Sequence, residues 1–305
     1  MSNKFDDVPM NENTVMKMGS MECKHCKDIV SKSVHLHAQN CPSFDGCLPA
    51  GTLATDNSNA VKAESDAIYH PLSRLIDHTF LKADATPDSI VVLCKEAVEN
   101  GFMSVCVNGM YASYAREVLD TLTRDSLKRS TCPRHVKVCC VVGFPLGASS
   151  TAVKAFETTQ CLDDGAEEID MVIAIGKLKA GDHAYVLRDI CAVVTVCKAK
   201  RALCKVIFET ALLTETEIET ASHLAIAAGA DFIKTSTGFS SRGASIDDVT
   251  TMSRIAHPRN VHVKASGGIR TLEDAHKMVA AGATRLGTSG GVAITHGNDV
   301  AVGQY

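Results

Sequence analysis

The sequence predicts a closed (β/α)8 barrel behind a largely disordered N-terminal extension. From residue 72 onward, short apolar strands alternate with amphipathic helices, and eight strand candidates can be counted. Repeated strand–helix units imply a parallel sheet, and eight of them suggest closure into a barrel. A doubly wound open sheet is the competing arrangement, but no dinucleotide-binding glycine fingerprint is present to favour it.

Residues 1–65 form the extension and residues 66–305 the barrel domain with a flexible tail. The extension is rich in small and polar residues and has no sustained apolar period, so it reads as disordered. It carries Cys23-Lys24-His25-Cys26, half of a tetrahedral zinc site, but Cys41 and Cys47 are too far apart for the usual second knuckle. No metal site is therefore assigned.

The strand candidates are Leu75–Phe80, Ser104–Val107, Val136–Val142, Glu168–Ile173, Lys205–Glu209, Phe232–Thr235, Val261–Lys264 and Thr284–Leu286. Between them, Pro87–Glu99 opens with Thr86 as N-cap and proline at the first helical position. Tyr185–Ala199 puts Leu187, Ile190, Val194 and Cys197 on one side. Glu215–Ala228 stops at Gly229, a suitable residue for a left-handed C-terminal turn. Thr271-Leu272-Glu273-Asp274 starts another helix as a capping box.

A net charge of −4 with a pI near 6.3 gives no nucleic-acid-binding surface. No apolar run approaches the roughly 20 residues that cross a membrane. The early acids Asp6, Asp7 and Glu12 argue against a transit peptide, so the cytosol is the expected location. The 13 cysteines, scattered through apolar segments, read as small buried hydrophobes in a reducing compartment. A homodimer is the expected assembly.

Chemistry is concentrated in three strands. Period-2 alternation puts Phe232, Lys234 and Ser236 on one face of the sixth strand. A lysine inside an apolar strand loses hydration and needs a partner or a task. The seventh strand repeats the pattern with Lys264, and the fourth carries Asp170 between Ile169 and Met171. In a barrel all three converge toward the C-terminal mouth. Repulsion between two ammoniums favours a neutral amine, which is a nucleophile toward aldehydes, and a carboxylate beside them can shuttle protons.

Three turns after the last strands hold Gly238, then Gly267 and Gly268 with Arg270, then Thr288 and Ser289. Glycines let backbone N–H groups approach an anion, and barrel phosphate sites commonly follow strands seven and eight. The turns therefore read as a phosphate cradle.

The motifs IDHTFLKADAT, EEIDMVIAIGKLKAGD, DFIKTSTG and VKASGGIRT closely resemble those of deoxyribose-phosphate aldolases, in the same order, from about Leu72 to about Val292. The resemblance implies a class I aldolase that reversibly cleaves 2-deoxy-D-ribose 5-phosphate to acetaldehyde and D-glyceraldehyde 3-phosphate. It implies Lys234 as the Schiff-base lysine, Lys264 as its electrostatic neighbour and Asp170 as the proton-handling acid. It also implies Asp77, Thr79 and Cys106 as lumen residues that meet the substrate. Glu209, at the end of the strand Lys205–Glu209, is a further lumen candidate, expected to orient a lysine. No cofactor is expected, since a protonated iminium is itself an electron sink. Tyr305 corresponds to a tyrosine that in some members reaches the barrel mouth and helps move a proton at C2. Where many members have a lysine after TSTG, this chain has Phe239, one cation fewer at the phosphate cradle. An aldolase-like binding scaffold is the alternative reading.

Overall fold

The computed structural model describes residues 70–128 and 134–297. The extension and Tyr305 lie outside the described residues. The strands are β1 (Ile76–Thr79), β2 (Ser104–Val107), β3 (Lys137–Val142), β4 (Glu168–Val172), β5 (Leu203–Ile207), β6 (Phe232–Lys234), β7 (His262–Ser266) and β8 (Arg285–Thr288). They pair in parallel in sequence order, and β8 pairs back onto β1, closing the barrel.

Helices α1 (Pro87–Glu99), α2 (Ala112–Lys128), α3 (Thr151–Asp163), α4 (Ile175–Lys179) and α5 (His183–Ala199) are followed by α6 (Glu215–Ala228), α7 (Ile246–Ala256), α8 (Leu272–Ala280) and α9 (Gly291–Thr295). Their starts follow from local chemistry. The Thr86 hydroxyl accepts from Ser89 N at 3.3 Å and caps α1, with Pro87 next. Thr271 accepts from Asp274 N at 3.0 Å, and Asp274 accepts from Thr271 N at 3.1 Å, the reciprocal box that opens α8. Helix α5 begins two residues before the expected Tyr185, because Asp182 caps it through Tyr185 N at 3.1 Å.

Alternation in the strands divides the side chains between two environments. Val105, Val138, Cys140, Ile169, Met171, Cys204, Val206, Ile233 and Val263 point outward into the apolar layer shared with the helices. Facing the lumen are Asp77, Ser104, Glu168, Asp170, Lys205, Lys264 and Arg285, all buried. A barrel lumen is more often filled by branched apolar side chains. Charges in so dry a space carry a large desolvation cost and persist only when paired.

Two boundaries shift in ways that matter for the site. Strand β5 starts at Leu203, whose N–H donates to Glu167 O at 3.1 Å, so Lys205 is mid-strand rather than the first residue. The strand ends at Ile207, and Glu209 takes a left-handed conformation with φ 60° instead of closing it. Such a conformation is strained for a residue with a side chain.

Candidate active site

Parallel register makes Lys234 and Lys264 direct neighbours across β6 and β7. Lys234 Nζ donates to Asp170 Oδ2 at 2.7 Å, and Lys264 Nζ donates to the same oxygen at 2.8 Å. Lys234 ends its strand and is 3% exposed, whereas Lys264 and Asp170 are fully enclosed. The lumen thus brings together the three residues on which the aldehyde chemistry was expected to rest.

The neighbourhood holds more charge than the three strands alone suggest. Lys205, the Cα partner of Asp170, donates to Asp170 Oδ1 at 2.7 Å and lies 2.7 Å from Glu168 Oε2. Arg285 Nη1 donates to Asp77 Oδ1 at 2.6 Å and to Glu168 Oε2 at 3.0 Å. Lys264 Nζ is also 2.5 Å from Asp77 Oδ2. Four buried bases therefore face three buried carboxylates, leaving one base in excess.

Protonation follows from these contacts. Burial works against the charge of Lys264, but Asp170 and Asp77 outweigh it and hold the amine above the ordinary lysine range. Burial likewise opposes Asp170, and Lys205, Lys234 and Lys264 together hold its carboxyl well below the usual carboxylate range. Asp77 is held low in the same way, against burial, by Lys264, Arg285 and Lys205. Lys205 is kept well above its ordinary value because Asp170, Cys139, Glu168 and Asp77 outweigh burial.

The remaining expected residues fall into distinct places. Asp77 sits beneath the lysine pair, held by Arg285, Lys264 and Ser104 Oγ, the last at 2.7 Å. Thr79 is half-buried and donates its hydroxyl to Asp77 O at 2.8 Å. Cys106 is fully enclosed in a small lumen cluster with Leu81, Cys139 and Val141. Cys106, Cys139 and Asp170 present ligand-type atoms within 4.8 Å of one another. Both oxygens of Asp170 already accept from lysines, so a cation would meet three ammoniums there.

Gly238, Gly267 and Gly268 all adopt positive φ, at 90°, 82° and 77°. A Cβ on Gly267 would come within 2.9 Å of Gly243 Cα and 3.5 Å of Gly238 Cα, so the turns after β6 and β7 touch through bare backbone. Ser236 Oγ and Ser266 Oγ are buried beside this cluster with no partner among the described residues. The Thr288 hydroxyl is committed, donating to Ile269 O and accepting from Gly290 N, each at 3.0 Å. Arg270 is exposed, with its N–H on Asp274 Oδ2 at 3.1 Å. Glu209 accepts from the Thr237 hydroxyl and from Thr237 N at 3.4 Å, pinning the loop that follows Lys234 rather than touching a lysine.

A cavity of about 390 Å³ at the rim is lined by Thr79, Leu81, Lys82, Phe239 and Ser289, among others. Phe239 meets Phe144 edge-to-face there, with ring centres 5.3 Å apart. The lysine pair is not part of that lining. Lys205, Glu168, Arg285, Ser236 and Ser266 were not singled out from sequence. The signal that marked Lys234, a charge inside an apolar strand, was also present for Lys205 and Arg285.

Residues 73–296 match the model of the DeoC/LacD family aldolases. A deoxyribose-phosphate aldolase of Halalkalibacterium halodurans is 51% identical over 226 residues, which span 74% of this chain and 95% of that protein. The crystal structure of a putative deoxyribose-phosphate aldolase from Coccidioides immitis is 39% identical, with a TM-score of 0.68, and the match covers 80% of this chain and 98% of that one. The deoxyribose phosphate aldolase from Aeropyrum pernix, described as tetrameric, matches at 32% identity and a TM-score of 0.63, over 74% of this chain and 89% of that one.

Proposed function

The chain belongs to the DeoC/LacD aldolase family, and from that premise we propose that it cleaves 2-deoxy-D-ribose 5-phosphate reversibly to acetaldehyde and D-glyceraldehyde 3-phosphate. It is a carbon–carbon lyase of the class I type. The observation that carries the residue assignment is the convergence of Lys234 and Lys264 on Asp170 Oδ2, with Lys234 at the open end of its strand.

In this reading Lys234 attacks the C1 aldehyde of the open-chain sugar as the free amine. Loss of water from the carbinolamine leaves a protonated iminium. As the C3 hydroxyl gives up its proton, the C2–C3 bond breaks and its electron pair flows into the iminium, forming an enamine and releasing glyceraldehyde 3-phosphate. Protonation of the enamine at C2 and hydrolysis release acetaldehyde and restore Lys234. Asp170 handles the proton in dehydration and at the C3 hydroxyl through water. Lys264, held charged by its two carboxylates, keeps positive potential beside the reacting amine. The positive-φ glycines and the unpartnered hydroxyls of Ser236 and Ser266 support a phosphate cradle, which would fix which carbon meets Lys234.

Tyr305 serves the C2 proton step in this proposal, and Asp77, Thr79 and Cys106 line the substrate's path. The catalytic unit is residues 66–305. A homodimer is the assembly we propose, supported by the exposed apolar side chains Met110, Leu146, Val153 and Phe156; light scattering of the purified protein tests it. No helix among the described residues is long and apolar enough to cross a membrane. The proposed cytosolic setting is supported by eight described cysteines that all carry free thiols.

Borohydride reduction with acetaldehyde, followed by peptide mapping, tests the assignment. The adduct is expected on Lys234 and absent from Lys234→Ala, whose circular dichroism spectrum stays that of the wild type. An adduct mapped to Lys264 or Lys82 would reverse the assigned roles.

A further inference from the structure

We propose that Lys205 is a positioning residue of the aldol reaction: by occupying Asp170 Oδ1, it reserves Oδ2 for Lys234, Lys264 and the proton transfers between them. The proposal rests on the assignment of Lys234 and Asp170 given above and adds a residue that never meets the substrate.

Lys205 is 0% exposed and stands in direct register opposite Asp170 on the neighbouring strand. Its ammonium donates to Asp170 Oδ1 at 2.7 Å and to Cys139 Sγ at 3.2 Å, with Glu168 Oε2 at 2.7 Å and Asp77 Oδ2 at 3.8 Å. Cys139 Sγ donates to the same Asp170 Oδ1 at 3.1 Å. Asp170 is therefore gripped asymmetrically. Two donors from β3 and β5 hold Oδ1, and two from β6 and β7 hold Oδ2.

This asymmetry matters once the reaction starts. When Lys234 becomes an iminium it loses donors, and Oδ2 gains accepting capacity on the side where water leaves and the C3 hydroxyl must be deprotonated. Oδ1, still held by Lys205 and Cys139, cannot compete for that proton, and the carboxylate plane cannot turn about its last torsion. Without Lys205, both oxygens would share the work and the plane would swing. Misplacement of a catalytic group by about 1 Å costs about 100-fold in rate.

The groups facing Asp170 from every packed strand are Asp77 on β1, Cys106 on β2, Cys139 on β3, Lys205 on β5, Lys234 on β6 and Lys264 on β7. Glu168 lies on β4 itself, and Arg285 on β8 joins through Asp77 and Glu168. Lys205 heads the cations that oppose the burial of Asp170. Removing it moves protonation of the Asp170 carboxyl to higher pH, and the acid limb of activity moves with it.

The test uses Lys205→Met and the charge-balanced double variant Lys205→Met with Glu168→Gln, in the full-length chain. Measurements are kcat, KM, the pH profile of kcat, the thermal midpoint and the site of the borohydride adduct. In both variants kcat is expected to fall by about 100-fold with KM within about threefold, the adduct to stay on Lys234, and the acid limb to move upward. The double variant should regain thermal stability without regaining kcat, and it decides the matter alone if the single variant does not fold. Wild-type kcat or an unmoved acid limb in the double variant would reduce Lys205 to a counterion of Glu168 and overturn the proposal. A wild-type adduct on a lysine other than Lys234 would instead overturn the underlying assignment, and the role of Lys205 with it.

Discussion

Lys234 and Lys264 stand opposite each other on neighbouring parallel strands, and their ammonium nitrogens share a single oxygen, Asp170 Oδ2, at 2.7 and 2.8 Å. The Asp170 carboxylate lies between the two nitrogens and accepts from both. Gly287 makes room for this arrangement: a Cβ there would lie 3.0 Å from Lys264 Cε, in the space the lysine stem crosses. The proposed nucleophile, its neighbouring lysine and the proposed proton carrier are thus joined through one carboxylate oxygen.

Lys264→Met removes a fully buried cation from two carboxylates and should destabilise the barrel by about 3–5 kcal/mol, as breaking a buried ion pair does. The folded-state value for Lys264 lies above its unfolded value. Its stabilisation is therefore complete below the unfolded lysine value of about 10.4 and fades as pH rises through the folded one. The difference in thermal midpoint between wild type and Lys264→Met should be constant from about pH 6 to 9 and shrink only above that window. Thermal melts across pH check this; a difference that shrinks already between those values would mean that Lys264 is not held charged.

Ser236→Ala and Ser266→Ala each remove a buried hydroxyl that lacks a partner among the described residues. If phosphate is what these hydroxyls await, KM for 2-deoxyribose 5-phosphate should rise by about tenfold, the effect of one hydrogen bond to a charged group. The KM for unphosphorylated 2-deoxyribose should not change, and stability should hold. Equal effects on both sugars would place the phosphate elsewhere.

Tyr305→Phe should slow turnover by about 100-fold, the lower end of general acid–base contributions, without preventing trapping at Lys234. Deuterium exchange into acetaldehyde isolates the C2 proton step from bond cleavage. Wild-type exchange in the variant would remove Tyr305 from the mechanism.

Deletion of residues 1–60 should leave kcat and KM within about twofold of wild type, since the matched family region starts at residue 73. Zinc bound by the full-length protein and lost on Cys23→Ser with Cys26→Ser would instead give the extension a metal centre.

The barrel itself was legible in sequence, because strand and helix periodicity are local properties and eight alternations leave few topologies open. Lys234, Lys264 and Asp170 were legible for the same reason, each being a charge inside an apolar strand of otherwise regular pattern. Lys205 carries that signal too, but it stands first in the strand candidate Lys205–Glu209, where no apolar residue of the strand precedes it. Only the pairing of Leu203 with Glu167 sets the strand two residues earlier and places Lys205 in its enclosed middle. Glu209 illustrates the converse, since a left-handed residue cannot be foreseen from a pattern that continues through it. The sequence alone determined which residues bear charge and on which face of a strand each lies. Which oxygen of Asp170 meets which lysine, and that four bases face three acids, depended on eight strands closing with one register and stagger. Those contacts join residues up to 208 positions apart, and no local pattern encodes a distance across the lumen.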